Sequence, residues 1–182
     1  MTDNDDPPDL HPTMAFEFVC TSCGDVHHGM PAFSARAPLD YYAVPESERG
    51  SRCELDTDFC IIDDKFYYVR GCIEIPVHGE DEPFSWGVWI SLSAASFAQW
   101  QESFHLRKRS HVGPFFGWLN ASLSPYADTM DLKTRAHLRD EGVRPLIELE
   151  PTDHPLAVEQ RTGISVERVK YLYAHVMHGS DT

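Results

Sequence analysis

The chain of 182 residues contains no run approaching the roughly 18–20 apolar residues that a membrane helix requires, so no helical membrane span is expected. Positive charge is also scarce: 15 Lys and Arg stand against 29 Asp and Glu, a net charge of −14 with His neutral. Such a surface repels phosphate backbones and anionic lipids, which argues against nucleic-acid and membrane binding. It suits solubility, or docking to a basic protein partner. The sequence has no Gly-rich phosphate loop, no nucleophile elbow and no HExxH, which weakens nucleotide-dependent and familiar hydrolase chemistry without excluding an unfamiliar active site. The opening MTDNDDPPDLHPT is acidic and proline-rich, where a secretory signal would be basic and then apolar. Residues 1–13 are accordingly expected to be a solvated tail, with 14–182 a single domain in the cytoplasm. Five cysteines without an export signal point to metal ligation, redox chemistry or simple burial rather than a disulfide framework.

What is present reads as α+β. Ala15–Val19 alternates like a short strand leading into Cys20. The Gly and Pro punctuation from Asp25 to Gly50 predicts loop, with an extended piece near Leu39–Ala43. Arg52–Leu55 and Phe59–Ile62 are expected strands around an acidic turn. Phe66–Val77 and Phe84–Leu92, rich in aromatic and β-branched residues, should pair as an antiparallel hairpin, with a bulge at Gly71. Ser93 caps a predicted helix over Ala94–Leu106, whose Phe97, Trp100 and Phe104 share one face. Gly113–Asn120 reads as a Gly-broken edge or a segment of close approach. Leu132–Arg139 alternates as a half-exposed strand, and Arg144–Glu150 makes another. A closing helix pair is expected over Pro155–Thr162 and Val166–Met177. With strands in the middle, helices at the end and no βαβα alternation, the expected architecture is a mainly antiparallel sheet covered by helices.

The clearest chemical motif is Cys20-Thr21-Ser22-Cys23-Gly24, followed by His27. Two thiolates at this spacing on a tight turn can face one tetrahedral ion, and the glycine lets backbone N–H groups approach the sulfurs, as in zinc knuckles. Two further ligands are needed: His27 is near in sequence, and Cys60 or Cys72 could be brought across by the sheet, with Cys53 a weaker choice. The expected zinc site is Cys20, Cys23, His27 and Cys60, structural rather than catalytic. Reduced, unligated thiols are the competing reading. A redox CxxC fits less well, since such motifs open a helix and this one precedes a Gly/Pro-rich loop.

Asp56, Asp58, Asp63 and Asp64 bracket one short strand, and Glu148, Glu150, Asp153 and His154 end another. Either set could bind a cation or act as acid and base, with Asp58 and His154 the candidate catalytic groups. Turn formation and helix capping are the more common uses of such residues. Pro155–Val176 also reads like a helix-turn-helix. But Glu159 stands four residues before the turn glycine, where close packing wants Ala or Gly, and no basic recognition helix is present. A packed αα-hairpin is the better reading. Trp86 and Trp89 point to opposite faces of their strand, so one must meet a second packed face or lie exposed.

The blocks CTSCGDVHHGMP, LDTDFCIID, VRGCIEIPV, WGVWISLS, GPFFGWL, DTMDLKTRAHL and RPLIELEPTDHPLAVEQRTGIS together resemble the bacterial family known as domain of unknown function 2199. The resemblance spans about Ala15 to His178. It implies a stand-alone bacterial domain and brings no activity with it. The residues themselves lead to a zinc-stabilised binding or adaptor module, immunity-like in one version. A metal- or cysteine-dependent enzyme is the alternative, and a DNA-binding regulator comes third.

Overall fold

The computed structural model describes residues 16–179, a mixed α+β structure with five helices and a strand-rich core. The acidic segment expected over residues 1–13 lies outside them. The centre is the hairpin of β6 (Phe66–Ile75) and β7 (Phe84–Leu92), paired without interruption from Tyr67↔Leu92 to Ile75↔Phe84. β8 (Phe115–Leu119), β9 (Lys133–His137) and β10 (Leu146–Leu149) continue antiparallel from β7, and β10 returns parallel to β6 at Leu146↔Cys72. The pairings β6–β7–β8–β9–β10–β6 thus close on themselves as a small barrel.

β6 and β7 each divide their outer edge between two neighbours. The first half of β6 takes β5 (Phe59–Ile62), to which β4 (Cys53–Leu55) is added. The second half takes β10. On β7, the first half pairs in parallel with β3 (Ala32–Ser34) and the second half with β8. The changeover on β6 falls at Gly71, which makes no bulge. A Cβ there would lie 2.5 Å from the Ile147 side chain and 2.8 Å from the Pro145 carbonyl, so the missing side chain is what lets β10 approach. Gly117 serves β8 in the same way, since a Cβ would meet the Ser91 carbonyl at 2.4 Å. β8 is therefore a close-approach segment between β7 and β9, not an edge.

Two apolar clusters result. The larger gathers Val69, Ile73, Ile75, Trp86, Val88, Ile90, Leu119 and Ile147, with helix residues packed onto it. The helices are α3 (Ala94–Ser103, capped by Ser93), α4 (Pro155–Thr162) and α5 (Val166–His178, capped by Ser165). They contribute Phe97 and Trp100, Leu156 and Ala157, and Val169 and Leu172 respectively. The smaller cluster holds Val44, Cys60, Ile62, Tyr68 and Trp89 on the opposite face. Trp86 and Trp89 thus both lie inside, and β7 is packed on both sides, which explains its nearly continuous burial.

The segment covering the smaller cluster departs from expectation. Leu39–Ala43 is a helix (α1), and Glu46–Arg52 forms a second (α2) where loop was predicted. Each starts behind a proline, Pro38 at φ −63° and Pro45 at φ −52°, whose fixed dihedral suits a helix start as well as a turn. α1 is held by a polar group of three: Tyr68 donates its hydroxyl to Asp40, Asn120 Nδ2 donates to the same carboxylate at 2.9 Å, and the Asp40 N–H donates to Asn120 Oδ1 at 3.1 Å. Burial, reinforced by that carboxylate, pushes the Tyr68 phenol well above its ordinary value. The acidic turn between β5 and β6 is tight, with Asp63 and Asp64 at φ 54° and 51°, and Asp63 is chelated by Arg52 through two 2.7 Å bonds. These aspartates are turn and pairing residues.

Candidate metal centre

The N-terminal hairpin of β1 (Glu17–Val19) and β2 (Val26–His28) is a separate two-stranded sheet whose turn is the Cys20–Gly24 motif. A strand pair this small does not stand alone. Phe18 anchors it, buried 5.0 Å from the Tyr173 ring of α5 in an edge-on contact and 5.4 Å from His27. The His27 and Tyr173 rings lie 4.5 Å apart, with the Tyr173 hydroxyl 3.1 Å from His27 Nδ1. The turn closes through Gly24 N–H to the Cys20 carbonyl (3.0 Å) and Cys20 N–H to the Asp25 carbonyl (2.9 Å). Gly24 sits at φ 79°, a conformation that glycine adopts without strain.

This packing carries the hairpin to the last turn of α5. Sγ of Cys20, Sγ of Cys23 and a ring nitrogen of His178 all lie within 4.8 Å of one another. His178 Nε2 is 3.4 Å from Cys20 Sγ, and His27 Nε2 is 3.7 Å from Cys23 Sγ on the hairpin itself. Cys20 is buried while Cys23 and His178 are exposed. Burial pushes the Cys20 thiol up, but the backbone N–H groups of Cys23 and Ser22, with the side chains of Cys23 and His178 behind them, outweigh it and hold the thiol at about 7. At Cys23 the Asp25 N–H favours the thiolate, yet burial and the neighbouring Cys20 prevail and leave it above its ordinary value.

The other expected ligands are elsewhere. Cys60 lies in the smaller apolar cluster beside Val44 and Trp89, its thiol driven up by burial to about 12. Cys53 is half-buried on β4 opposite Ile62, and Cys72 half-buried on β6 opposite Gly87. A second histidine stands beside the thiols with His27: His178, 158 residues from Cys20. No local spacing in the sequence links the two. The one hint is the type of residue, a histidine in the last turn of an amphipathic helix.

Asp58 and His154 are each held by partners of their own. Asp58 accepts from Arg144 Nε at 2.8 Å. His154 is the N-cap of α4: Nδ1 accepts from the Leu156 N–H at 3.2 Å, and Nε2 lies 2.7 Å from the Ala127 carbonyl. The set around Glu148 produces a different arrangement. Glu148 is 2.8 Å from His137 Nε2 across β9–β10, and both line a cleft of about 600 Å³ floored by Pro76, Leu146 and Leu149. One more close pair, Ser124 Oγ and His175 Nε2 at 2.6 Å, resembles a nucleophile and its base. Among the described residues no carboxylate orients that imidazole, so the relay is incomplete. Glu159, the residue that spoiled the helix-turn-helix pattern, accepts from Tyr126 and pairs with Arg168 at 2.9 Å, binding α4 to α5.

A family model described as an uncharacterized protein conserved in bacteria matches residues 19–164. No curated protein and no solved structure matches the chain. The matched span takes in both cysteines and His27 and stops before His178.

Proposed function

Because the chain belongs to DUF2199, a bacterial family whose description carries no activity, its function rests on geometry, and we propose that it is a zinc-stabilised binding module of the bacterial cytoplasm. The observation that carries this reading is the convergence of Cys20, Cys23 and His178 within 4.8 Å from two distant parts of the chain. In a tetrahedral zinc site with ordinary Zn–S and Zn–N bonds, a sulfur and a nitrogen ligand stand about 3.6 Å apart. The Cys20–His178 and Cys23–His27 separations of 3.4 and 3.7 Å bracket that value. His27 lies against Cys23 but outside the group of three, and it becomes the fourth ligand, through Nε2, if its ring moves toward Cys20 and His178. Its Nδ1–H then donates to the Tyr173 oxygen, the outer contact that fixes a ligating imidazole. Backbone N–H groups directed at Cys20 keep its thiolate available.

In this reading the metal is a staple, joining the N-terminal hairpin to α5. The binding face is the cleft beside β10, largely apolar, with Glu74 and Glu148 set among His137 and Arg161, and the net charge of −14 over the whole chain favours a basic protein partner, as an immunity-like module would. An enzyme reading draws on the exposure of Cys23 and His178, which sets the metal at the surface where a substrate could displace a ligand. Native mass spectrometry of the untagged protein, before and after a chelator, tests the proposal. One zinc per chain, lost together with thermal stability, is the expected result. Protein that carries no zinc after growth and refolding in its presence overturns it.

A further inference from the structure

Far from the thiols in sequence, three arginines converge on one small pocket. Arg70 comes from β6, Arg109 from the loop after α3, and Arg144 from the residues leading into β10, with Trp100 and Phe104 as the apolar wall. In a chain with twice as many acids as bases, this concentration of cations is unusual, and Asp58, bound by Arg144 Nε, is the one carboxylate in the lining.

Arg109 is almost wholly buried, yet no carboxylate pairs with its guanidinium among the described residues. It donates instead to three carbonyls, Arg139 (2.9 Å), Phe104 (3.3 Å) and Val143 (3.0 Å), while Asp140 accepts from its backbone N–H. The loop therefore fixes a positive charge in place without neutralising it. Arg70 is held below its ordinary pKa, first by burial and then by the charge of Arg144. Its one side-chain bond is a long one, Nη1 to the Thr57 carbonyl at 3.4 Å.

The second observation is independent of charge. Three buried side-chain nitrogens lack a hydrogen-bond partner among the described residues, and two of them, Arg70 Nε and the indole Nε1 of Trp100, belong to residues lining this pocket. Buried donors are nearly always satisfied. Guanidinium and indole groups can only donate, so what satisfies either is an acceptor, and the three guanidiniums around the pocket favour an anion there. The pocket, about 130 Å³, has room for one small group and none for a nucleotide.

We propose that this pocket binds a small oxyanion, the carboxylate or phosphate group of a small molecule, held by the Arg70 and Arg144 guanidiniums beside the Trp100 ring. Guanidinium forks match both groups, and the aromatic wall suits a ligand with a short apolar body. The site is separate from the thiol corner, so it stands or falls independently of zinc.

The test follows the indole N–H resonances of the four tryptophans by NMR, with Trp100 assigned through Trp100→Phe. Inorganic phosphate and benzoate are titrated separately at constant ionic strength against sodium chloride. A saturable shift of the Trp100 resonance with either anion is expected, and the one that saturates at lower concentration identifies the group. Arg70→Gln should weaken that binding about tenfold or more. If Arg70→Gln fails to fold, Arg70→Lys, which keeps the charge and removes the fork, should show the same loss. Absence of a saturable shift, an equal response to chloride, or unchanged binding in the folded Arg70 variant would overturn the proposal.

Discussion

Cys20 and Cys60 are buried almost equally, at 1% and 0% exposure, yet one thiol is held at about 7 and the other is driven up to about 12. Part of the difference is depth, for Cys60 lies inside an apolar cluster and Cys20 at a corner beside the exposed Cys23 and His178, and the rest is what each burial supplies. Cys60 sits on a strand whose backbone N–H groups belong to the ladder, so its surroundings are the side chains of Val44, Ile62 and Trp89, which offer a thiolate nothing. Cys20 sits on a turn, where the ladder has ended and the N–H groups of Ser22 and Cys23 are free to point at sulfur. The same residue is a small hydrophobe in one place and a ready ligand in the other, and local backbone geometry decides which.

The largest expected effect separates the two outright. Removing zinc, by chelator or by Cys20→Ser, should lower the melting temperature by about 8–16 °C, as losing a ligand present at about a thousand times its dissociation constant would do in a chain of this size. Scanning calorimetry of the zinc-loaded and stripped protein measures this, and equal melting points would end the comparison. Next comes Cys60→Ser, which buries a hydroxyl in the apolar cluster at a cost of about 1–3 kcal/mol in denaturant titrations. Its zinc content should be unchanged, and a loss of zinc would return Cys60 to the ligand set. A smaller effect is expected from Tyr173→Phe, which removes the outer contact of His27. Zinc affinity should fall about tenfold by competition with a chromophoric chelator, while the fold survives.

The subtlest prediction concerns alkaline pH. The folded pKa of Cys60 is raised, so its contribution to stability is complete below the unfolded value of about 8.5 and is lost as pH rises toward about 12. Stability measured across that window should therefore decline more steeply in the parent than in Cys60→Ala. Parallel curves would show that the Cys60 pKa is the same in the folded and the unfolded chain.

These contrasts also explain how much of the molecule could be read in advance. β6, β7, α3, α4 and α5 follow from periodicity and cap chemistry, which are local: Ser93, Ser165 and Gly163 mark the helix ends by their own hydrogen bonds and dihedrals. α1 and α2 did not announce themselves, because helices of five and seven residues show too little periodicity, and their prolines read equally well as loop. Gly71 signalled an irregularity correctly in place but not in kind. Its reason is a partner strand more than seventy residues later, which no window of sequence contains. The candidate site divides along the same line. Cys20, Cys23 and His27 are visible as a spacing, whereas His178 and the three arginines of the anion pocket are brought in by topology alone.

The 158 residues between Cys20 and His178 also impose an order on biosynthesis. At ordinary ribosomal rates about 8–30 s pass between the synthesis of the first thiol and that of the histidine that meets it. Throughout that interval the hairpin has no α5 to pack against, and Cys20 and Cys23 travel on the nascent chain as open thiols. The barrel strands, made in between, can pair before the corner exists. The corner therefore forms only after the barrel strands have been made, and the cell's thiols and free metals meet those two cysteines before His178 does.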